Sequence, residues 1–256
     1  MPRYERRHGS MTDNLNEKSV RLHKWPKMLP PLDQKQEEIR RDFMLYWHKV
    51  LPNKFGWIDR INHKYVMSQS HHWSRTLEIG GGLGSHLRWE NLEDEKAKNY
   101  YVVEVIPDMA AQIQREFIGV HVFAADCQEA LAFPNDFFDR VLAIHVLEHL
   151  PNLPAAISNI HRVLDKEIGQ FIVMIPCEGG LAYTTGRRFT TKRLFERRYK
   201  QPYDWFISRE HLNRPHEIIE ELQQNFILQH KGFFPMRLPI ISLNLVIGLS
   251  LRPRER

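Results

Sequence analysis

Glu78, Gly80, Gly82 and Gly84 lie within the segment LEIGGGLG, where the chain is richest in glycine. Glycine directly after a short apolar run either forms a tight turn or lets the backbone come close to a ligand. The spacing differs from the G-x-G-x-x-G of dinucleotide sites. An acid before the glycines disfavours a phosphate group, so the segment indicates a ligand with cationic or hydroxyl groups.

Two further acids follow the next two apolar runs. Glu104 ends the segment YVVE, and Asp126 precedes Cys127 in the segment ADC. A carboxylate at a strand tip can accept hydrogen bonds from both hydroxyls of a ribose. An acid after the third strand can meet the amino group of an adenine ring. The acids therefore favour a nucleoside-bearing ligand.

The segment HVLEH, from His145 to His149, matches the H-x-x-E-H pattern of a group of zinc peptidases. That chemistry needs both histidines on one face of a helix. Here the segment ends an apolar run over residues 141–146, and Pro151 follows closely. We therefore predict no metal site and expect Glu148 and His149 to lie in the loop after the fourth strand.

Short apolar runs that alternate with helical patterns have to position these residues. Strands buried on both faces appear as continuous apolar runs, and their alternation with helices indicates a parallel sheet covered by helices. The predicted strands are 76–79, 100–105, 120–124, 141–146, 171–175, 226–234 and 243–251. The predicted helices are two N-terminal ones, from Asp33 and from Phe55, and others near 84–95, 107–117, 154–164 and 215–222.

The last two predicted strands have no helix between them, so they are expected to pair antiparallel. The predicted fold is α/β: a Rossmann-like, doubly wound, mostly parallel seven-stranded sheet that ends in an antiparallel strand pair, with N-terminal helices and a lid insertion. The predicted division is a flexible tail (1–32), an N-terminal helical cap (33–72), a ligand-binding core (73–177), a lid insertion (178–214), and a terminal helix with antiparallel strands (215–256).

Composition restricts the class of protein further. The 256 residues suit one large domain, and a net charge of +5 does not by itself demand nucleic acid. The uncharged run 238–251 is too short to span a bilayer, and the first twenty residues lack the apolar block of a secretory signal. Cys127 and Cys177 match no metal-ligand spacing, so free thiols in a reducing cytoplasm are expected.

The chain resembles the class I S-adenosylmethionine-dependent methyltransferases, in particular the small-molecule branch that includes the ubiquinone-biosynthesis methyltransferases. Four segments carry the resemblance in order and spacing: LEIGGGLG, VVEV, AADCQEALAFPNDFFDRVLAIHVLEHLPN and HRVLDKEIGQFIVMIPC. It covers about residues 72–180. The motifs indicate the cofactor, S-adenosylmethionine, far more specifically than they indicate the methyl acceptor.

The resemblance implies a role for each residue of the glycine segment. Gly80, Gly82 and Gly84 would let the backbone approach the methionyl part of the cofactor. Glu78 would help to hold its amino group, directly or through water. The family often has Asp at this position, so Glu78 departs from its usual pattern.

The other cofactor residues follow from the same resemblance. Glu104 would bind the ribose hydroxyls, and Asp126 with the backbone of Cys127 would contact the adenine. His145 lies where family members place residues that line the cofactor near its sulfonium. The cofactor itself activates the methyl group, so the protein has to align the acceptor and exclude water. If the acceptor is a hydroxyl, a general base helps, and the candidates are His145, His149 and His211.

The acceptor site is expected between the N-terminal helices and the insertion 178–214. From Arg187 to Lys200 the chain has seven basic residues and one acid, interleaved with aromatic residues. Such a mixture can cover a ring or sugar while it pairs with an anionic group. The predicted acceptor-binding residues are Arg187, Arg188, Arg193, Tyr203 and Arg209. Asn213 is expected to cap the helix that follows.

The preferred hypothesis is methyl transfer to a hydroxyl or amine of a small metabolite, phosphorylated, glycosylated or lipid-linked. An RNA methyltransferase is the alternative, although no RNA-binding module is recognisable and no stable nucleic-acid partner is expected. A nicotinamide-dependent oxidoreductase and a non-catalytic cofactor-binding protein are further alternatives. The basic run is also compatible with a plain solvated helix face. The oligomeric state is open, with a homodimer among the alternatives.

Overall fold

The computed structural model describes residues 24–70 and 72–255, and the side chains of all of these except residues 48 and 51–55. Within this part of the chain, seven strands form one sheet: β1 (Thr76–Ile79), β2 (Tyr100–Glu104), β3 (His121–Ala124), β4 (Arg140–Ile144), β5 (Gln170–Pro176), β6 (Phe226–Phe234) and β7 (Val246–Pro253). Their order in the sheet is β3-β2-β1-β4-β5-β7-β6.

Strand direction confirms the predicted fold class. β1 to β5 pair parallel to one another, whereas β7 pairs antiparallel with both β5 and β6. β5 is buried over nearly its whole length, because helices cover both faces of the sheet. The order reverses between β1 and β4, so their carboxyl ends form the edge where ligands of such sheets bind.

Helices of very different length connect the strands. They are α1 (Gln34–Gln69), α2 (Leu87–Glu90), α3 (Asp94–Ala97), α4 (Pro107–Glu116), α5 (Leu153–Val163), α6 (Leu181–Arg187), α7 (Arg193–Tyr199), α8 (Asp204–Glu210) and α9 (Pro215–Asn225). A π-helical segment, Arg188–Lys192, joins α6 to α7, and 3-10 turns lie at Leu147–His149 and Ile241–Leu243. No helix of the described residues is long and apolar enough to cross a membrane.

Two apolar cores lie on opposite faces of the sheet. On one face, α5 and α9 pack with residues such as Ile157 and Leu222 against Leu77 of β1. On the other face, the second half of α1 contributes Tyr65 and Val66 to a core shared with α2 and α4. Burial of these apolar side chains is the main favourable contribution to the stability of the fold.

The two predicted N-terminal helices are one helix, which corrects that expectation. α1 has 36 residues, and Asp33 caps it by accepting a hydrogen bond from the Gln36 backbone N–H at 2.7 Å. Its first half carries Phe43, which packs edge-on against Phe195 and Phe206. These residues belong to a third core, which is mainly aromatic and lies between α1 and the lid. The helix stays continuous because its two halves pack on different partners, the lid and the sheet.

Three local expectations also need correction. The predicted helix at 84–95 is split into α2 and α3, because Asn91 adopts a left-handed conformation with φ 47°. The last strand begins at Val246, since Asn244 lies in the preceding loop and its side chain binds backbone groups there. Asn213 does not cap α9: the helix begins after Arg214, and the Asn213 amide donates to the Leu147 and Leu150 carbonyls.

The predicted tail, 1–32, lies partly outside the described residues. The described part, from Lys24 onward, contacts the sheet domain. The Lys27 backbone donates to the Pro151 carbonyl at 2.9 Å, and its ammonium group lies 2.8 Å from Glu217. Although burial opposes it, the Arg214 backbone N–H and the ammonium groups of Lys27 and Lys24 lower the pKa of Glu217 to about 2.

Candidate active site at the carboxyl ends of the parallel strands

The glycine segment forms the turn between β1 and α2. Gly80, Gly82 and Gly84 all have positive φ, at 72°, 57° and 73°. A Cβ on Gly80 would lie 2.4 Å from Val146 Cγ2, and one on Gly84 would lie 2.4 Å from Phe117 Cε2. Glycine at these two positions is therefore required both by backbone conformation and by close packing within the protein.

Glu104 holds the glycine segment against the tip of β2. One carboxylate oxygen accepts from the Gly82 N–H at 2.8 Å, and the other accepts from the Ile106 N–H at 2.9 Å. The side chain is buried, and burial raises its pKa above the usual value, against the effect of these hydrogen bonds. Val105 beside it is 61% exposed, so the strand tip offers an apolar surface next to a carboxylate.

Glu78 lies on the face of β1 that points towards α2. Its Oε2 accepts from the Tyr100 hydroxyl at 2.8 Å, and the side chain is buried. Burial raises the pKa of Glu78 to about 8, and the nearby negative charge of Glu90 adds to the effect while the Tyr100 hydrogen bond opposes it. The structure thus provides this carboxyl with a partner inside the protein.

Asp126 lies at the carboxyl end of β3, as predicted, in a loop that two amide side chains hold. Gln128 donates to both Asp126 oxygens at 3.0 Å and accepts from the Asn152 N–H at 2.6 Å. Asn159 of α5 donates to the Cys127 carbonyl at 3.1 Å. Cys127 itself is buried and unpaired with another cysteine, and burial raises the pKa of its thiol to about 12.

The turn after β4 brings His145 and Glu148 together. His145 has φ 55°, and its Nδ1 lies 3.3 Å from Glu148 Oε1. Glu148 is buried, and its Oε2 has no hydrogen-bond partner among the described residues. Despite the opposing effect of burial, His145 and His149 lower the pKa of this carboxyl. An unpaired buried carboxylate oxygen at this strand end indicates a polar ligand group.

His149 and His211 face each other edge to face, with ring centroids 5.1 Å apart. His149 Nδ1 lies 2.7 Å from the Glu210 carbonyl, and His211 Nδ1 lies 2.8 Å from Glu178 Oε2. Both oxygens are acceptors, so each ring donates through Nδ1–H, and a neutral ring then has its lone pair on Nε2. Burial lowers the pKa of His149, which favours that neutral form.

The three predicted catalytic histidines therefore lie in one cluster, together with Glu148 and Glu178. This cluster continues into the glycine segment, because Val146 between His145 and the 3-10 turn is the residue that packs on Gly80. Among the described residues, no group of three or more His, Cys, Asp or Glu side chains could hold a metal ion.

The predicted acceptor-binding residues are dispersed. Arg187 points into the cluster, with Nη1 2.5 Å from Glu178 Oε2. Arg188 and Arg193 are exposed on the outside of the lid. Tyr203 is buried in the aromatic core of α1 and the lid, and Arg209 donates to the Pro30 carbonyl. Of these five residues, only Arg187 pairs with a member of the histidine cluster.

Sequence reasoning missed Glu178, which orients both His211 and Arg187. Its signal was available: Glu178 lies two residues after the end of β5, and Glu104 is the last residue of β2, so both acids lie at carboxyl ends of parallel strands. It also missed Gln128 and Asn159, whose amides position the loop after β3. These amides act over long sequence distances, and no local pattern reveals that.

Comparison with known proteins bears on the family and the fold of the chain. The model of a family described as "Methyltransferase domain" matches residues 77–173, from β1 to β5. The chain therefore contains a class I S-adenosylmethionine-dependent methyltransferase domain. The protein is an enzyme, and S-adenosylmethionine is its cofactor. No curated protein matches the sequence.

Solved structures share the fold of this methyltransferase. One is a Thermotoga maritima S-adenosylmethionine-dependent methyltransferase described as a possible histamine N-methyltransferase, with TM-score 0.59, 17% identity and coverage of 86% of this chain and 99% of that one. Another is the N-methyltransferase NodS from Bradyrhizobium japonicum bound to S-adenosyl-L-homocysteine, with TM-score 0.57, 18% identity and coverage of 87% and 100%. At these identities the likeness shows the fold alone.

The residues present suit the cofactor. A buried carboxylate and an exposed apolar residue lie side by side at the tip of β2, as a ribose and an adjoining base require. The free Glu148 oxygen lies at the end of β4, beside the turn that packs on the glycine segment.

Proposed function

We propose that this methyltransferase acts on a hydroxyl or amine of a small acceptor, which lies between the carboxyl ends of β4 and β5 and the lid, residues 178–214. The observation that supports it most is the Glu178–His211 hydrogen bond of 2.8 Å. A carboxylate that fixes Nδ1–H leaves Nε2 as a proton acceptor, which is how histidine bases are commonly oriented.

The cofactor is proposed to bind across β1, β2 and β3. Glu104 binds the ribose hydroxyls, Asp126 with the Cys127 backbone contacts the adenine, and the glycine segment borders the methionyl part with Glu78 near its amino group. His145 lines the cofactor near its sulfonium. Bound S-adenosylmethionine supplies a methyl group that is already activated for transfer. The protein then has to orient the acceptor and keep water out.

His211 is the proposed general base. Its Nε2 accepts the proton that the acceptor loses, and the carboxylate of Glu178 stabilises the resulting imidazolium. Arg187 shares the same carboxylate oxygen, so it holds Glu178 in place from the lid side. His149, held by the Glu210 carbonyl, lies beside His211 in the proposed acceptor site and is the second candidate for the general base.

An amine acceptor receives support from the carboxylates in the cluster. Glu148 and Glu178 can attract a cationic group, and two structural neighbours are described as N-methyltransferases or as a possible one. An anionic group on the acceptor could instead pair with Arg187 and with Arg188, which is exposed at the lid surface. The proposal therefore includes both a hydroxyl oxygen and an amine nitrogen as the methylated atom, and a screen of acceptors distinguishes the two.

The experiment is a methyl-transfer assay with labelled S-adenosylmethionine against amine, phenolic, glycosylated and phosphorylated acceptors. With the best acceptor, His211→Gln should lower kcat by about 100-fold to 10,000-fold, the usual contribution of a general base. Binding of S-adenosylhomocysteine, measured by calorimetry, should stay unchanged. The matched control is His72→Gln, at an exposed position before the amino end of β1, which should retain full activity.

The same assay separates the alternatives. An unchanged kcat in His211→Gln would remove this residue from catalysis and leave His149 for the equivalent test. Methylation of RNA, without methylation of any small acceptor, would overturn the proposed substrate class.

A further inference from the structure

The loop between β6 and β7 exposes an unusual number of aliphatic side chains. Residues 235–245 contain one charged residue, Arg237, and no acid. Four aliphatic side chains of this loop are between 43% and 56% exposed: Met236, Leu238, Ile240 and Leu243. Contiguous exposed apolar surface on a protein marks a place of interaction more often than isolated apolar residues do.

Asn244 fixes the shape of this loop. Its side chain is fully buried, donates to the Leu238 and Ile240 carbonyls at 2.8 Å each, and accepts from the Met236 N–H at 2.9 Å. These three hydrogen bonds hold the backbone in one conformation. About half of the surface of each of the four aliphatic side chains thus stays exposed on an ordered loop.

The beginning of the lid lies against the same loop. A Cβ on Gly180 would lie 2.7 Å from the Ile241 carbonyl oxygen, so α6 starts in direct contact with the 3-10 turn Ile241–Leu243. Leu181, at the start of α6, is 69% exposed, so the apolar surface of the loop extends onto the lid there. Phe189, farther along the lid in the π-helical segment, is 63% exposed as well.

Positive charge accompanies this apolar surface. Residues 181–195 contain four basic residues and no acid: Arg187, Arg188, Lys192 and Arg193. Arg187 and Lys192 pair with Glu178 and Asp204, whereas Arg188 and Arg193 are exposed. Exposed cations on the same lid segment as the exposed Leu181 and Phe189 are a combination that suits the surface of an anionic bilayer.

We propose that the face formed by residues 236–243, Leu181, Phe189, Arg188 and Arg193 docks on an anionic lipid surface. The aliphatic loop enters the headgroup region, and the arginines contact lipid phosphates and carboxylates. The loop favours lipid over RNA, because its exposed side chains are aliphatic and RNA binding without base readout uses aromatic rings on which bases stack.

The position of α6 gives this docking a consequence for the enzyme. One side of the helix carries Leu181 towards the proposed lipid face, and the other carries Tyr183 and Arg187 towards the histidine cluster. Docking would bring the acceptor site next to the membrane, where a lipid-linked acceptor resides. The docking surface itself does not depend on which histidine acts as base.

The test is sedimentation of the full chain with vesicles of phosphatidylcholine, alone or mixed with an equal part of phosphatidylserine. We expect binding to the mixed vesicles, weakened by salt. The double change Arg188→Gln with Arg193→Gln should lower the partition coefficient about 30-fold, since each basic residue at the surface contributes roughly fivefold. Replacing Met236, Leu238 and Ile240 with Ser should lower it at least tenfold.

Matched controls are Ile118→Ser and Arg115→Gln, which alter exposed residues near the end of α4. They should leave vesicle binding unchanged, and calorimetry with S-adenosylhomocysteine checks that every variant is folded. Equal loss in the controls, or no sedimentation with mixed vesicles, would overturn the proposal. Binding of polyuridylate that the Ser variant retains would also overturn the proposal. So would a dimer, detected by light scattering, that the Ser substitutions dissociate while the parent chain binds no vesicles.

Discussion

Glu104 shows how much one side chain can contribute to a site before any ligand binds. Its two carboxylate oxygens accept from Gly82 and Ile106, so it joins the glycine segment to the tip of β2. The same carboxylate is the proposed partner of the ribose hydroxyls. Loss of the side chain therefore removes a ligand contact and an anchor of the loop at once.

Glu104→Ala should weaken binding of S-adenosylhomocysteine about 100-fold, because two charge-assisted hydrogen bonds contribute on the order of 3 kcal/mol. Calorimetry measures the affinity. Glu116→Ala, which removes a half-exposed acid paired with Arg88, is the matched control and should bind normally. Unchanged affinity in Glu104→Ala would refute the ribose assignment.

Between elements, a buried row of polar side chains connects α1 to the sheet. His63 Nε2 lies 3.1 Å from Asp59, the two Nδ1 atoms of His63 and His86 lie 3.0 Å apart, and His86 Nε2 lies 2.9 Å from Glu90. Burial lowers the pKa of His86, against the effect of its hydrogen bond with Glu90. Arg140 of β4 ends the row, with Nη2 2.8 Å from Glu90 Oε1.

Glu90→Gln should lower the free energy of unfolding by about 3 kcal/mol, because it leaves the buried guanidinium of Arg140 without a charged partner. Urea denaturation monitored by circular dichroism measures the change. Glu95→Gln removes an acid of the neighbouring helix α3 that is exposed and paired only with Lys98, and it should leave stability unchanged. Equal effects of the two changes would show that the buried Glu90–Arg140 pair does not stabilise the fold.

For the whole molecule, Glu78 links stability to pH. Burial raises its pKa from its ordinary value of 4.5 to about 8 in the folded chain, so the folded state keeps a proton that the unfolded state loses. The stabilisation from this group is complete below about pH 4.5 and is lost as pH rises towards about 8.

Glu78→Gln should therefore flatten the fall in unfolding temperature between about pH 5 and pH 8, since the amide cannot ionise. Differential scanning calorimetry across this range measures it. Glu167→Gln, at an exposed position, is the control and should keep the pH dependence of the parent chain. A Glu78→Gln variant with that same dependence would contradict the raised pKa.

The sequence by itself determined most of the sheet and the strand ends at which its acids lie. Strands such as β1 and β6 were predicted with their observed bounds, because apolar runs and their spacing are local properties of the chain. Glu104 and Asp126 were predicted to lie at one edge of the sheet, because the carboxyl ends of parallel strands meet there and topology alone places an acid after each strand.

Only the tertiary structure decided which side chains lie together at the proposed acceptor site. Glu178 and His211 are 33 residues apart, and His63 and His86 are 23 apart, yet each pair lies within hydrogen-bond distance. Their pairing depends on how α1 and the lid pack on the sheet, which no periodicity encodes. The same packing kept α1 continuous where two helices were predicted, and it turned Arg188 and Arg193 outward while Arg187 points inward.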